Sequence, residues 1–395
     1  MSRRWITALL IVMVAVVGLA GPGGVAAQRP DAPPYGKSGP YAVGVIPELV
    51  IKDAVRPLTV TVWYPAVAGN GPRATYSLRG AGNAVIGAAP ARNGSPFPLI
   101  VFSHGFAGAR DNSTVLTEHL AQWGFVVIAA DHIGTNTRSL AASGARNNLL
   151  TSLVERPADV LRQIDYAAAL NVGNSLLRGL IDTSRVGVIG HSMGGYTAVA
   201  AGGARVDFDA LQAYCTGNPP PAERPGNVCT LLPAQVAIAG LGLKPDSSGL
   251  LPAISDPRIK AIVPLAPWNA PVFGPKGLAA LTIPTLIMVG AADEVTPAAR
   301  DSNRIYEQIG SAEKALVTFA DGTHLLFLDP CKPSVPLRSA CDEPVWDKPR
   351  VYDLTNHFAT AFFAAILRGD RAARAALDPR SVAFAGIEYR ATFSQ

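Results

Sequence analysis

Gly190-His191-Ser192-Met193-Gly194 is the segment whose residue types and spacing could do chemistry. It fits Gly-x-Ser-x-Gly, with an apolar run just before it and a helix-forming run just after. Paired glycines permit a tight, strained turn that lifts a serine hydroxyl clear of a sheet. A helix starting there aims its free amides and positive dipole end at developing negative charge. The chemistry is acyl transfer, and because a serine hydroxyl is a weak nucleophile at neutral pH, a base and an acid must stand behind it. With the chain order Ser, acid, His that accompanies this motif, the base is His324 or His357. His324 follows an apolar strand in the loop Asp321-Gly322-Thr323-His324, whereas His357 sits inside a helical stretch, so His324 is the expected general base. Asp293, in Gly290-Ala291-Ala292-Asp293-Glu294 after the apolar run 285–289, is the expected acid. Glu294 and Asp321 read as solvated loop acids.

A tetrahedral intermediate also needs amide donors for its oxyanion. The Met193 amide is one expected donor. The Phe106 amide is the other, in Ser103-His104-Gly105-Phe106, where Gly105 lets the chain turn toward the serine. His104 and His191 flank these donors and are expected to position them, and His132, at the end of an apolar run, to order its loop. Trp268, after the run 259–265, is expected to bind substrate together with Phe106 and His191, and Met193 to add apolar surface.

These residues need a sheet whose strand ends converge. Short, partly alternating strands at 41–46, 49–52 and 58–63 open the chain, and 66–96, rich in Gly, Ala, Asn and Pro, reads as loop. From residue 97 the pattern becomes buried strand, loop, helix. Strands are expected at 99–102, 125–130, 186–189, 259–265, 285–289 and 315–319, with helices near 113–123, 157–170, 193–201 and 297–310. Continuous apolar runs belong to parallel strands covered on both faces, so the expected fold is α/β, a mostly parallel sheet with helices on both sides. An amphipathic helix over 352–367 is expected to close the sheet with Phe358, Phe362 and Phe363. Residues 203–257, including a helix near 233–241, are expected to form a cysteine-containing cap over the carboxyl edge.

The chain has 395 residues, 49% hydrophobic and 16% charged, enough for a large core. Residues 1–27 read as a signal peptide: Arg3 and Arg4, an uncharged run over 5–20, then Ala26-Ala27. Residues 28–40 read as a flexible mature N-terminus and 41–395 as one catalytic domain. Removing 1–27 takes away two arginines and no acid, which lowers the net charge from +5 to +3. That small, dispersed charge argues against nucleic acid as a partner. Export to a periplasm or the cell exterior is expected, with no stable membrane span once the leader is cleaved; oligomeric state is unreadable. Cys215 with Cys229 and Cys331 with Cys341 are the expected disulfides, as suits an oxidising compartment. No dinucleotide fingerprint, phosphate loop or metal-ligand spacing is present, so neither cofactor nor metal is expected.

Ser103-His-Gly-Phe-Ala-Gly-Ala-Arg110, Gly190-His-Ser-Met-Gly-Gly-Tyr-Thr197, Asp256-Pro-Arg-Ile-Lys-Ala261 and Leu265-Ala-Pro-Trp268 resemble the dienelactone-hydrolase-like serine esterases related to platelet-activating-factor acetylhydrolases. The resemblance spans roughly residues 41–370. It implies the α/β-hydrolase fold, a triad at Ser192, Asp293 and His324, and oxyanion amides at Phe106 and Met193. True dienelactone hydrolases use a cysteine nucleophile where this chain has serine, so the family name does not state the substrate. More distantly, the Ser-Met-Gly-Gly run and the aromatic Trp268 resemble cutinase-like polyester hydrolases, from which the cysteine-bearing insertion departs. The expected activity is hydrolysis of small-molecule or lipid carboxylic esters. The alternatives are a polyester hydrolase, an acyltransferase, a serine peptidase and, from a different class, a non-catalytic binding protein on the same fold.

Overall fold

The computed structural model describes residues 31–142, 149–223, 228–332 and 343–393; the expected leader lies outside them. Among the described residues eleven strands form one sheet: β1 Ala42–Ile51, β2 Leu58–Ala66, β3 Arg73–Tyr76, β4 Gly80–Ile86, β5 Phe97–Ser103, β6 Val126–Ala130, β7 Ile181–His191, β8 Ile259–Leu265, β9 Thr285–Gly290, β10 Lys314–Phe319 and β11 Ile387–Ala391. Their order across the sheet is β3-β4-β1-β2-β6-β5-β7-β8-β9-β10-β11. The six strands from β6 to β10 run parallel, and antiparallel β2 and β11 flank them. After β5 the chain steps out to β6 and then returns across β5 to β7, so the order reverses beside β5. That reversal opens a crevice at the carboxyl ends, where ligands of open α/β sheets bind.

Alternation within the buried strands sorts the core into two layers. Leu99 and Val101 of β5 face the helices Leu149–Val172 and Met193–Ala201, while Ile100 and Phe102 face Thr114–Gln122 and Lys348–Arg368. Phe358, Phe362 and Phe363 of the last helix are fully buried against the second face, as the sequence pattern implies.

Two expectations fail for identifiable reasons. The stretch 66–96 contains β3 and β4, whose small residues carry little strand propensity. Tertiary contacts hold them: Tyr76 donates its hydroxyl to Glu118 at 2.8 Å and accepts from the Trp63 indole at 2.8 Å. Pro157, read as a helix start, lies inside the longer helix Leu149–Val172. Proline cannot donate to the carbonyl four residues back, that of Leu153. The buried Tyr196 hydroxyl donates to that carbonyl at 2.9 Å instead, so the helix passes through the proline without leaving an orphan acceptor. β11, also unforeseen, pairs with β10 from Ala315–Ala391 to Phe319–Ile387. None of the helices, among the described residues, is long and apolar enough to cross a membrane.

Candidate active site

Ser192 directly follows β7 and takes φ 58° and ψ −117°. A non-glycine residue held there stores about 1–3 kcal/mol of strain, which the surrounding packing must offset. Glycines make that packing possible. A Cβ on Gly194 would stand 1.9 Å from the Ser103 carbonyl oxygen, and one on Gly190 would stand 2.4 Å from that of Gly194. The Ser192 amide donates to Leu265 O at 2.8 Å, and the Ser192 carbonyl accepts from Tyr196 and Trp268, each at 3.1 Å. The turn is thereby locked to the ends of β5 and β8.

His324 comes from the loop after β10, and Asp293 from the loop after β9. Gly290 lets these loops meet, because a Cβ on it would stand 2.1 Å from Gly322 O. His324 Nε2 lies 2.9 Å from Ser192 Oγ, and His324 Nδ1 lies 2.8 Å from Asp293 Oδ2. A carboxylate only accepts, so Nδ1 carries the proton and the Nε2 lone pair faces the serine hydroxyl. Burial pushes the Asp293 carboxyl up, but hydrogen bonds from His324 and Thr296, with the imidazole's charge, outweigh it and hold the group below its ordinary range. The Val295 and Thr296 amides donate to Oδ1 at 2.9 and 2.7 Å, and the Thr296 hydroxyl lies 2.8 Å from Oδ2. Glu294 and Asp321 are exposed. His357 is buried elsewhere, accepting from the Tyr35 amide at 3.3 Å.

Met193 opens the helix Met193–Ala201, and a first helical residue has no intrahelical acceptor for its amide. Gly105 packs on Ser192: a Cβ there would stand 3.3 Å from Ser192 Cβ. His191 is buried behind the site and donates Nε2–H to His324 O at 2.8 Å. Burial, then the neighbouring His324, lowers its pKa to about 3, so the ring is a neutral prop for the His324 backbone.

A cleft of about 190 Å³ opens over Ser192, lined by Phe106, Leu149, Met193, Trp268 and Val295. Apart from the serine its walls are apolar. His191, expected to touch substrate, is not among them. Leu149 and Val295 are walls that the sequence reading missed. Leu149 begins the helix whose start was placed at Pro157. Val295 lies two residues beyond Asp293 at a strand's carboxyl end, a position that could have marked it.

The insertion over 203–257 is held by contacts with later segments of the chain. The Asp207 amide donates to Val272 O at 2.8 Å, and Glu223 pairs with Arg304 at 2.9 Å. No described residue of the insertion lines the cleft. Cys215 and Cys229 form a disulfide within it; the other expected pair includes Cys341, which lies outside the described residues. No group of three His, Cys, Asp or Glu residues is placed to hold a metal, among the described residues.

Comparison with known proteins adds a family. The chain is 27% identical over 236 residues to a cutinase of Thermobifida alba, covering 59% of this chain and 55% of that protein. It is 24% identical over 320 residues to the bis(hydroxyethyl) terephthalate hydrolase of Streptomyces coelicolor, covering 81% and 74%. A Thermobifida fusca cutinase is 24% identical over 234 residues, covering 59% and 54%. The chain thus spans little more than half the length of the two cutinases. A family model described as PET hydrolase-like matches residues 68–218 and 233–332. The two matched segments break across 219–232, within the disulfide-bearing insertion, and together they take in every strand end that meets at Ser192; the chain belongs to the PET hydrolase-like family.

Proposed function

We propose that this protein hydrolyses carboxylic esters through an acyl-enzyme on Ser192. The observation that carries the reading is the hydrogen-bonded line from Ser192 Oγ through His324 to Asp293, at 2.9 and 2.8 Å, opening onto an apolar cleft. Ser192 Oγ attacks the ester carbonyl as its proton passes to His324 Nε2. The carbonyl π electrons move onto oxygen, where the Met193 and Phe106 amides receive them. Collapse breaks the bond to the alkoxy oxygen, which leaves with the proton from His324. Water then repeats the sequence on the acyl-serine, giving the acid and restoring Ser192. Asp293 fixes the tautomer of His324 and stabilises its imidazolium.

The apolar walls suit an aromatic or short aliphatic acyl group. A polyester substrate is the second reading. It is favoured by the names of the relatives, a terephthalate ester hydrolase among them, and by a rim on which Phe106 and Val295 are 45% and 46% exposed. Export fits the Cys215–Cys229 disulfide and the leader-like first 27 residues.

The test is hydrolysis of p-nitrophenyl esters from acetate to long-chain acyl, and of bis(hydroxyethyl) terephthalate, by the wild type and Ser192→Ala. Turnover that vanishes in the variant supports the esterase, and release of soluble acid from polyester film supports the second reading. No ester turnover above that of the variant overturns both.

A further inference from the structure

Beneath the oxyanion loop lies a second serine-histidine-aspartate line that takes no part in the chemistry above. Ser103 Oγ is 2.9 Å from His132 Nε2, and His132 Nδ1 is 3.0 Å from Asp159 Oδ2. Ser103 and His132 are fully buried and Asp159 is 1% exposed, so no substrate reaches them. The line meets Arg156, also buried, whose guanidinium donates to four neutral acceptors. They are Ser103 Oγ at 3.1 Å, the His104 carbonyl, Thr135 Oγ1 at 3.1 Å and Thr197 Oγ1 at 3.1 Å. These acceptors lie on three separate segments: the end of β5, the loop after β6, and the helix that begins at Met193. A buried cation whose hydrogen bonds go to neutral acceptors, with the Asp159 carboxylate as a nearby countercharge, is costly, so its retention calls for a role.

The role follows from how the loop is held. With Asp159 accepting from Nδ1–H, His132 Nε2 accepts from the Ser103 hydroxyl, which leaves Ser103 Oγ to accept from Arg156. The His132 amide donates to His104 Nε2 at 3.1 Å, so His104 carries its proton on Nδ1 and donates to Gly105 O at 2.7 Å. The Gly108 amide supports the same carbonyl at 3.1 Å. The Gly105 carbonyl and the Phe106 N–H belong to one trans, planar peptide and point in opposite directions. Fixing the carbonyl on the buried side therefore turns the Phe106 amide to the other side, where Phe106 and Ser192 line the cleft.

We propose that Arg156, with the Ser103–His132–Asp159 line beside it, is the positioning apparatus of the oxyanion hole, acting through His104 on the Gly105–Phe106 peptide. The inference rests on the esterase reading and deepens it. Arg156 touches no reacting atom, so its substitution acts on the transition state more than on ester binding.

The experiment compares wild type, Arg156→Met, His104→Leu and His104→Asn on p-nitrophenyl butyrate. It also measures inhibition by phenylboronic acid, whose tetrahedral serine adduct puts an oxygen where the oxyanion forms. Arg156→Met and His104→Leu are each expected to lose about 10–100-fold in kcat and a similar factor in boronate affinity, with KM within about threefold. His104→Asn, whose amide donor sits where Nδ1 does, is expected to recover most of the His104→Leu loss. Should Arg156→Met not fold, the His104 pair decides by the same readouts. A wild type that turns over while the folded variants keep kcat and boronate affinity within about threefold overturns the positioning role alone. A wild type that turns over no ester overturns the esterase reading and this inference with it.

Discussion

Trp268 donates its backbone N–H to the carbonyl oxygen of Ser192 at 3.1 Å. The wall of the cleft is thereby tied through main chain to Ser192. The tie depends on a strained approach, since Ala266 takes φ 42° in order to turn the chain from β8 toward the site. The Thr296 hydroxyl, which lies 3.2 Å from Ala266 O and 2.8 Å from Asp293 Oδ2, links the same bend to the acid's loop.

Because the bond uses backbone atoms, Trp268→Ala is expected to remove the wall and leave Ser192 in place. The half-buried indole packs edge-on to Tyr196 at 6.3 Å and lines the cleft. Its loss should lower kcat/KM for p-nitrophenyl benzoate about 10–100-fold, while the acetate ester changes by less than about threefold. Equal losses on both esters would assign Trp268 a structural role and no part in acyl selection.

Asp293→Asn is expected to reduce kcat by about 10³–10⁴-fold with little change in fold. An asparagine amide can donate to His324 Nδ1, which moves the imidazole proton to Nε2 and turns the ring's acceptor away from Ser192. The Val295 and Thr296 amides, at 2.9 and 2.7 Å, would still find an oxygen at this position. Steady-state kinetics beside a thermal melt separates the two effects. A loss of melting temperature as large as that of an unfolded loop would overturn the tautomer account.

Much of this arrangement was legible because it is local. Gly-x-Ser-x-Gly encodes its own turn, and the loops of Asp293 and His324 each follow a continuous apolar run, so the three strand ends could be read without knowing the sheet order. What escaped depends on contacts remote in sequence. Arg156 meets Ser103, His104, Thr135 and Thr197 across up to 53 residues of chain, and a lone arginine in a helical pattern carries no mark of that. The helix around Pro157 was misread because its rescue comes from Tyr196, some forty positions on. The contacts that hold 203–257 are pairs such as Glu223 with Arg304, which periodicity does not register.

Five of the six histidines carry depressed pKa values, each with burial as its largest cause. His119 and His357 fall to about 4 and His191 to about 3, and His104 and His132 lie well below the ordinary value. Such a ring is neutral in both states above its unfolded pKa of about 6.5, and below it takes up a proton first in the unfolded chain. Stability is therefore complete above that pH and is lost as pH falls toward the folded values, by about 1.4 kcal/mol per pH unit for each ring. His119, His357 and His191 lose stability together over the pH units below about 6.5, and His104 and His132 act in the same direction. Three buried carboxyls oppose them: burial raises Asp329 to about 6, so it gains stability on acidification between about 4 and 6, and burial raises Asp159 and Asp301 in the same direction, three groups against five. Urea midpoints are expected to fall from about pH 6.5 to 5. A flat profile from pH 7 to 5 would mean that the rings are not buried neutral.

Cys215 and Cys229 close a short loop, with a sequence separation of 14, inside an insertion that contributes no described residue to the cleft. Two consequences separate cleanly. Cross-linking a loop of that length stabilises by about 3 kcal/mol, chiefly by limiting the unfolded chain. If the insertion stands beside the site, removing the link should leave the chemistry alone. The double variant Cys215→Ser with Cys229→Ser is therefore expected to melt several degrees lower and to keep kcat/KM for p-nitrophenyl butyrate within about twofold at 25 °C. A polyester film should be cut at an equally unchanged rate if it is a substrate. A variant that stays folded yet changes its chain-length preference would place the insertion over the cleft as a cap, and the reading of an open rim at Phe106 and Val295 would then fail.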